Sequence, residues 1–335
     1  VIAALVTGLR GVRRSFGLVF VALGANLALA ALLALPLAGL LERDLQDTGA
    51  AREMLYGFDT AWWSRWSDGR DGFAAQFGPE LLGLGSAFKN VDLLLRGELP
   101  LGLFRARQEP QSSAGTAASG LDGVTLGVAA LSLLLQTFLL GGFLTVLRGE
   151  RGDWTLRGLI HGAGFYFGRL LRVALVALLL DFVLFRLYAP VARWADAQAR
   201  EAVSENTAMA ISLSRHALLL LLLLLVNVLS SLAKVIVVLE ERSSALFAWL
   251  SAVGYLASHA GRTLGHYFAL VAAGALLLLA WAALDARLVT TGYRTQLVAL
   301  LLAQALLAGR IALRLSLFAG QIALLRNRLS TSGAA

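Results

Sequence analysis

Four carboxamides interrupt long apolar runs: Asn26, Gln136, Asn227 and Gln304. At about 1.5 Å per helical residue, counted from the basic end of each run, all four fall roughly 14–20 Å deep, near the centre of a hydrocarbon layer about 30 Å thick. An amide at that depth must find a partner, and two uses follow. It can join helices by hydrogen bonds, each pair contributing about 0.5–2 kcal/mol, or it can line a polar layer for a headgroup or a small neutral or zwitterionic solute. Interhelical bonding is the favoured reading, and Thr137, Ser230 and Ser231 lie close by in sequence to share in it.

Three charges also fall inside apolar runs. Asp181 lies about 17 Å in, Arg310 about 10 Å and Lys234 about 8 Å on the same scale. Long cationic side chains reach several ångströms, so the expected buried ion pair is Asp181 with Arg310, and less favourably with Lys234. The alternative sends both cations to inner-leaflet phosphates and leaves Asp181 facing water. Proton-coupled transport would use a titratable carboxylate in the membrane, and Asp181 is the one acid available.

No catalytic constellation accompanies these groups. His161, His216, His259 and His266 are scattered, with no HExxH spacing, and His259 and His266 have no carboxylate between them. There is no Gly-x-Ser-x-Gly, no paired intramembrane aspartate and no P-loop, and the glycines of 162–168 lack the dinucleotide-binding spacing. The chain has no cysteine, which removes thiolate chemistry and cysteine-based metal sites. The expectation is a non-enzymatic protein with no catalytic, cofactor or metal residue.

One aromatic cluster stands outside the apolar runs. Phe58, Trp62, Trp63 and Trp66 lie around one or two helical turns, among Asp59, Arg65 and Asp68. An interfacial belt, with indoles at headgroup depth, is the favoured reading; a pocket or patch for a lipid, sugar or partner protein is the other.

The elements that must position these groups are set by composition: 58% hydrophobic and 15% charged residues, with mean hydropathy +0.73. Six apolar stretches, Gly17–Leu41, Val124–Leu147, Leu170–Leu187, Ala217–Leu239, Tyr267–Leu284 and Gln296–Leu317, each approach the roughly 20 residues a bilayer-crossing helix needs. The first is a full span with no small-residue cleavage site after a short core, so no cleavable signal peptide is expected. The net charge of +8 concentrates at one set of span ends: Arg10, Arg13 and Arg14; Arg148 to Arg172; Lys234, Arg242 and Arg262; Arg310 to Arg328. Only Glu150, Asp153, Glu240 and Glu241 oppose them. By the positive-inside rule both termini are cytoplasmic and the loop 42–123 is outside. The basicity is therefore a topology signal, and no nucleic-acid partner is expected. Within that loop, apolar residues at helical spacing around Leu81 to Leu95 predict short helices, and the Gln/Ser/Gly-rich stretch Arg105–Gly120 predicts a linker.

The two internal loops share a pattern. Glu150-Arg151, an amphipathic stretch through Trp154, Leu159 and Phe165, and then Gly168-Arg169 precede the third span. Glu241-Arg242, a stretch through Phe247, Leu250 and Leu256, and then Gly261-Arg262 precede the fifth. Leu9 to Gly17 is an abbreviated copy. Each reads as an elbow helix lying on the inner leaflet, arginines at phosphate level, with Gly164 and Gly168 allowing a turn and a close helix approach. In this Glu-Arg, amphipathic, Gly-Arg organisation the chain resembles uncharacterised six-helix bacterial membrane-protein families, including the membrane domain fused to some glycerophosphoryl diester phosphodiesterases. That resemblance implies an architecture and transfers no functional residue.

The expected protein is all-α and polytopic: six transmembrane helices, cytoplasmic elbows and a partly helical outside loop. Residues 1–41 form the N-terminal segment and first span, 42–123 the outside loop, and 124–335 the remaining five helices with their elbows and tail. The expected location is a bacterial inner membrane, in contact with anionic inner-leaflet headgroups and other membrane proteins. The expected role is a scaffold or accessory subunit, with a permease or lipid-handling channel as the alternative.

Overall fold

A segment with lipid for solvent must satisfy its amides within itself, and helix does this locally. The computed structural model describes residues 1–46, 48–49, 52, 59–68, 70, 123–149, 155–288 and 293–332. Of these, 92% are helical and none is in a strand. The elements are α1 (Ile2–Arg14), α2 (Gly17–Gln46), α3 (Thr60–Asp68), α4 (Gly123–Arg148), α5 (Leu156–Glu201), α6 (Glu205–Leu239), α7 (Ala245–Asp285) and α8 (Tyr293–Ser332). The expected short helices near 81–95, the linker 105–120, and Phe58, Glu150, Arg151 and Trp154 lie outside the described residues.

Five helices are long and apolar enough to cross a membrane: Gly17–Gln46, Gly123–Arg148, Glu205–Leu239, Ala245–Asp285 and Tyr293–Arg326. They mark the chain as an integral, multi-pass membrane protein. The sixth expected stretch, Leu170–Leu187, lies wholly inside α5 and carries Arg172, Asp181 and Arg186. With 46 residues, α5 is about 69 Å long, more than twice the hydrocarbon thickness. Its continuation past Leu187 forms a tight hairpin with α6. Tyr188 Oη donates to the carbonyl of Arg215 at 2.9 Å, and Arg215 reaches Asp196 at 2.6 Å.

The breaks between helices have local causes. At the end of α1 the Ser15 amide returns to the carbonyls of Gly11 and Val12, and the Val19 amide restarts the ladder on Phe16. Thr155 caps α5, its hydroxyl accepting from the Gly158 amide at 3.1 Å. Inside α7 the backbone leaves helical geometry at His259 (φ −132°, ψ 31°). There Ser258 Oγ donates back to the carbonyl of Gly254 at 2.8 Å, a contact that bends helices, and His259 stacks on Tyr255. No such break occurs at Gly164 or Gly168. The helix runs straight through both, and a methyl group on either would meet nothing.

The described chain falls into two compact units, 1–15 with 137–270 and 315–335, and 16–136 with 271–314. In the first, the last turns of α6 form the centre: Leu232, Ala233 and Val235 to Val238 are all buried, packed among Leu144, Leu170, Trp249, Ala252 and Phe318. Close backbone approach makes this packing dense. A Cβ on Gly141 would lie 3.2 Å from the carbonyls of Gly162 and Ala163, and one on Gly8 would lie 2.5 Å from that of Ser316. In the second unit α3 lies on α2, with Trp63 and Trp66 packed against Leu37, Leu40 and Leu41. Many large apolar side chains of that unit are open, including Leu276 and Leu301, each 67% exposed. Lipid is the medium that makes such exposure stable.

Candidate functional site

Three of the four amides make hydrogen bonds, each to a different group. Asn26 Nδ2 donates to the carbonyl of Ala22 on its own helix at 2.8 Å, and Gln136 Nε2 to Ser132 Oγ on its own helix at 3.3 Å. Asn227 Nδ2 donates from α6 to Tyr267 Oη of α7 at 3.1 Å. Gln304 is half-buried in α8, its Oε1 without a protein partner. Two of the three bonds stay within one helix, and Asn227–Tyr267 is the one that joins two helices. Gln136 is exposed at the middle of α4.

Asp181 and Arg310 belong to different units. Within its own unit, the cation in electrostatic range of Asp181 is Lys234, the less favoured partner in the sequence reading. Arg310 is exposed on α8.

The tryptophans serve mainly to dock α3. Asp59 starts that helix, its carboxylate accepting from the amides of Ala61 and Trp62 at 2.9 and 3.0 Å. Trp63 and Trp66 are then buried, while Trp62 stays half-exposed, stacked on Trp66 at 6.0 Å. Trp66 Nε1 donates to Asp44 Oδ2 at 2.7 Å, Arg70 also pairs with Asp44, and the Arg70 guanidinium lies 5.5 Å from the Trp66 ring centre. Arg43 and Arg65 complete an open cleft around these groups. Trp66→Phe keeps the ring and loses the bond to Asp44. We expect about 1 kcal/mol less local stability, read as faster amide exchange in α3 with the spans unaffected.

A denser polar constellation lies in the first unit. Arg148, the last residue of α4, donates to the carbonyl of Val238 and to Glu241 Oε1, both at 3.0 Å, and to Tyr166 Oη at 3.3 Å. Arg169 of α5 donates to the carbonyl of Glu241 at 3.0 Å, and Arg326 of α8 to that of Arg148. Glu241 is held at φ 54°, a left-handed conformation that glycine usually takes just past a helix C-terminus. The arginines thus bond backbone carbonyls at the ends of α4 and α6, where a helix leaves acceptors unpaired. Deeper in the same unit, buried Gln321 donates to Ser231 Oγ at 2.7 Å, and Ser231 to the carbonyl of Val228 at 2.8 Å. His266 Nε2 lies 3.4 Å from the carbonyl of Leu317. Neither group stands out in sequence: Arg148 reads as one topology charge among many, and Gln321 falls just past the last apolar stretch. The Ser230-Ser231 pair is the signal that pointed nearest.

These groups fix helix ends and cross-link helices; they present no nucleophile–base pair. Among the described residues no three histidine, aspartate or glutamate side chains gather as metal ligands. No protein-family model, curated protein or solved structure matches the chain.

Proposed function

We propose that the protein is a non-enzymatic scaffold or accessory subunit of a membrane complex, held in a bacterial inner membrane by six spans with its arginine-rich ends in the cytoplasm. The sixth span in this reading is the 170–187 part of α5, with Asp181 in electrostatic range of Lys234 and with Arg172 and Arg186 near its two ends. Support for the orientation comes from the first unit. The C-terminal ends of α4, α6 and α8 are tied by Arg148, Arg169 and Arg326 at one end, the distribution the positive-inside rule expects. α1 and the segment of α7 before the break at His259 serve as elbow helices on that leaflet.

The observation that carries the scaffold role is Gln136. It sits at the middle of α4, is exposed, and its amide nitrogen donates to a serine of its own helix; in this reading the side chain lies at mid-span. An amide there is costly alone and favourable against another helix, at about 0.5–2 kcal/mol. The partner is accordingly another membrane helix packed on α4. The alternative role for these amides, a cargo layer, is less favoured because Asn26 and Asn227 are bonded to groups of this protein.

The test is extraction into native nanodiscs followed by mass spectrometry of what remains bound, for the parent and for Gln136→Leu. A stoichiometric protein partner, reduced about fivefold or more in the variant at unchanged melting temperature, is the expected result. A partner-free protein, or retention that is indifferent to Gln136, removes the reading.

A further inference from the structure

A second basic feature of the first unit is a cleft of about 330 Å³ bordered by α1, the end of α4 and the end of α8. That volume lies within the roughly 300–1,000 Å³ of small-ligand sites. Three cations line it: Arg10 and Arg14, one turn apart on α1, and Arg326 of α8. Val146, Leu147 and Ile322 give the rest of the lining an apolar wall. Among the described residues no acid lines it, and neither Arg10 nor Arg14 has a carboxylate partner. Ser15, 3% exposed, adds a hydroxyl that makes no hydrogen bond to another described residue.

We propose that this cleft binds the phosphate of an anionic phospholipid, with the glycerol and upper acyl carbons against the apolar wall. The charge balance favours an anion despite an opposing effect. Both α1 and α4 end here, and a helix C-terminus carries about half a negative charge. Arg326 offsets part of this by bonding the Arg148 carbonyl, and Arg10 and Arg14 each contribute a full positive charge. The apolar wall decides between lipid and free phosphate, because a small hydrated anion gains nothing from Leu147 and Ile322. The site is also preformed. Ala4, Gly8 and Val12 are the buried face of α1, and Gly8 and Gly11 rest directly on Ser316 and Ala319, so α1 holds its arginines in place before any ligand arrives.

The inference deepens the proposed orientation, in which this cleft faces the inner leaflet, and the two can fail separately. The purified full-length chain is titrated with short-chain phosphatidylglycerol, with phosphatidylcholine and with inorganic phosphate, following lipid retention by native mass spectrometry and the melting temperature. The expected result is a preference for phosphatidylglycerol that falls about tenfold or more in Arg10→Gln/Arg14→Gln, at about 1 kcal/mol per basic residue near an anionic headgroup. The preference should survive in Arg287→Gln/Arg294→Gln, which removes two exposed arginines elsewhere, and in Arg10→Lys/Arg14→Lys, which keeps the charge. Equal retention of both lipids, stabilisation by inorganic phosphate to the same extent, loss of the preference in the lysine variant, or its survival in the glutamine variant overturns the site. Orientation is read independently from Ile2→Cys in this cysteine-free chain, using a membrane-impermeant maleimide on intact cells. Labelling from outside, with the lipid preference intact, overturns the inward orientation and leaves the site standing.

Discussion

Gly142→Ala is expected to destabilise the protein by about 3 kcal/mol, although alanine is the better helix former by about 1 kcal/mol. The sign is decided by what the new methyl group meets. A Cβ at position 142 would lie 2.5 Å from the carbonyl oxygen of Leu159 and 2.9 Å from its Cγ. The first contact is backbone, so relief requires α4 and α5 to move apart. Leu144 and Leu159, each at most 1% exposed, would lose contact as they did so. Gly164→Ala is the matched comparison, since nothing lies within 4 Å of its added methyl, and it should be neutral or stabilising by about 0.5–1 kcal/mol. Reversible denaturation in mixed micelles measures both. Equal effects for the two variants, or a neutral Gly142→Ala, would show that α4 and α5 do not cross at Leu159.

The same pair of glycines marks the boundary of what the sequence discloses. That α2, α4, α6, α7 and α8 are long apolar helices is legible from composition alone, because lipid-solvated segments need no knowledge of their neighbours. Which glycine allows two helices to touch depends on the residue opposite, and that is not local. Gly164 and Gly168 have the four-residue spacing associated with close approach, yet Gly141, Gly142 and Gly162 make it. The expected turn at Gly168-Arg169 is absent for a related reason: glycine permits a turn without requiring one, and α5 keeps its ladder of hydrogen bonds. The break in α7 comes instead at His259, where serine back-bonding bends the chain. Trp63 and Trp66 are burial sites because α2 presents Leu37, Leu40 and Leu41 to them. A window containing only Phe58 to Asp68 cannot contain that information. The position of each amide along its helix follows from the sequence, but the groups that Asn26, Gln136 and Asn227 bond, on Ala22, Ser132 and Tyr267, do not.

Arg148→Gln is expected to cost about 2–3 kcal/mol, and the cost should come chiefly from backbone rather than from the ion pair. Arg148 and Glu241 side chains are 36% and 58% exposed, so their attraction is screened and contributes at most about 1 kcal/mol. The carbonyl of Val238 is different. It belongs to the last turn of α6, where no intrahelical donor remains, and its residue is 2% exposed. Losing a charge-assisted bond to such an acceptor costs about 1.5–3 kcal/mol. Glu241→Gln removes the ionic share alone and should cost less than 1 kcal/mol. In a double-mutant cycle the coupling between positions 148 and 241 should be about 0.5–1 kcal/mol and should shrink as salt rises from 0.05 to about 0.5 M, while the larger part of the Arg148→Gln effect persists. Glu241→Gly separates a further contribution. Glycine tolerates φ 54° without the penalty of about 1 kcal/mol that glutamate incurs, so relief of backbone strain should offset the lost pair and leave this variant near the parent in stability. An Arg148→Gln effect that vanished at high salt would assign the clasp to charge. One that persisted beside a near-neutral Glu241→Gly would assign it to the capped end of α6, with Glu241 serving mainly to turn the chain toward α7.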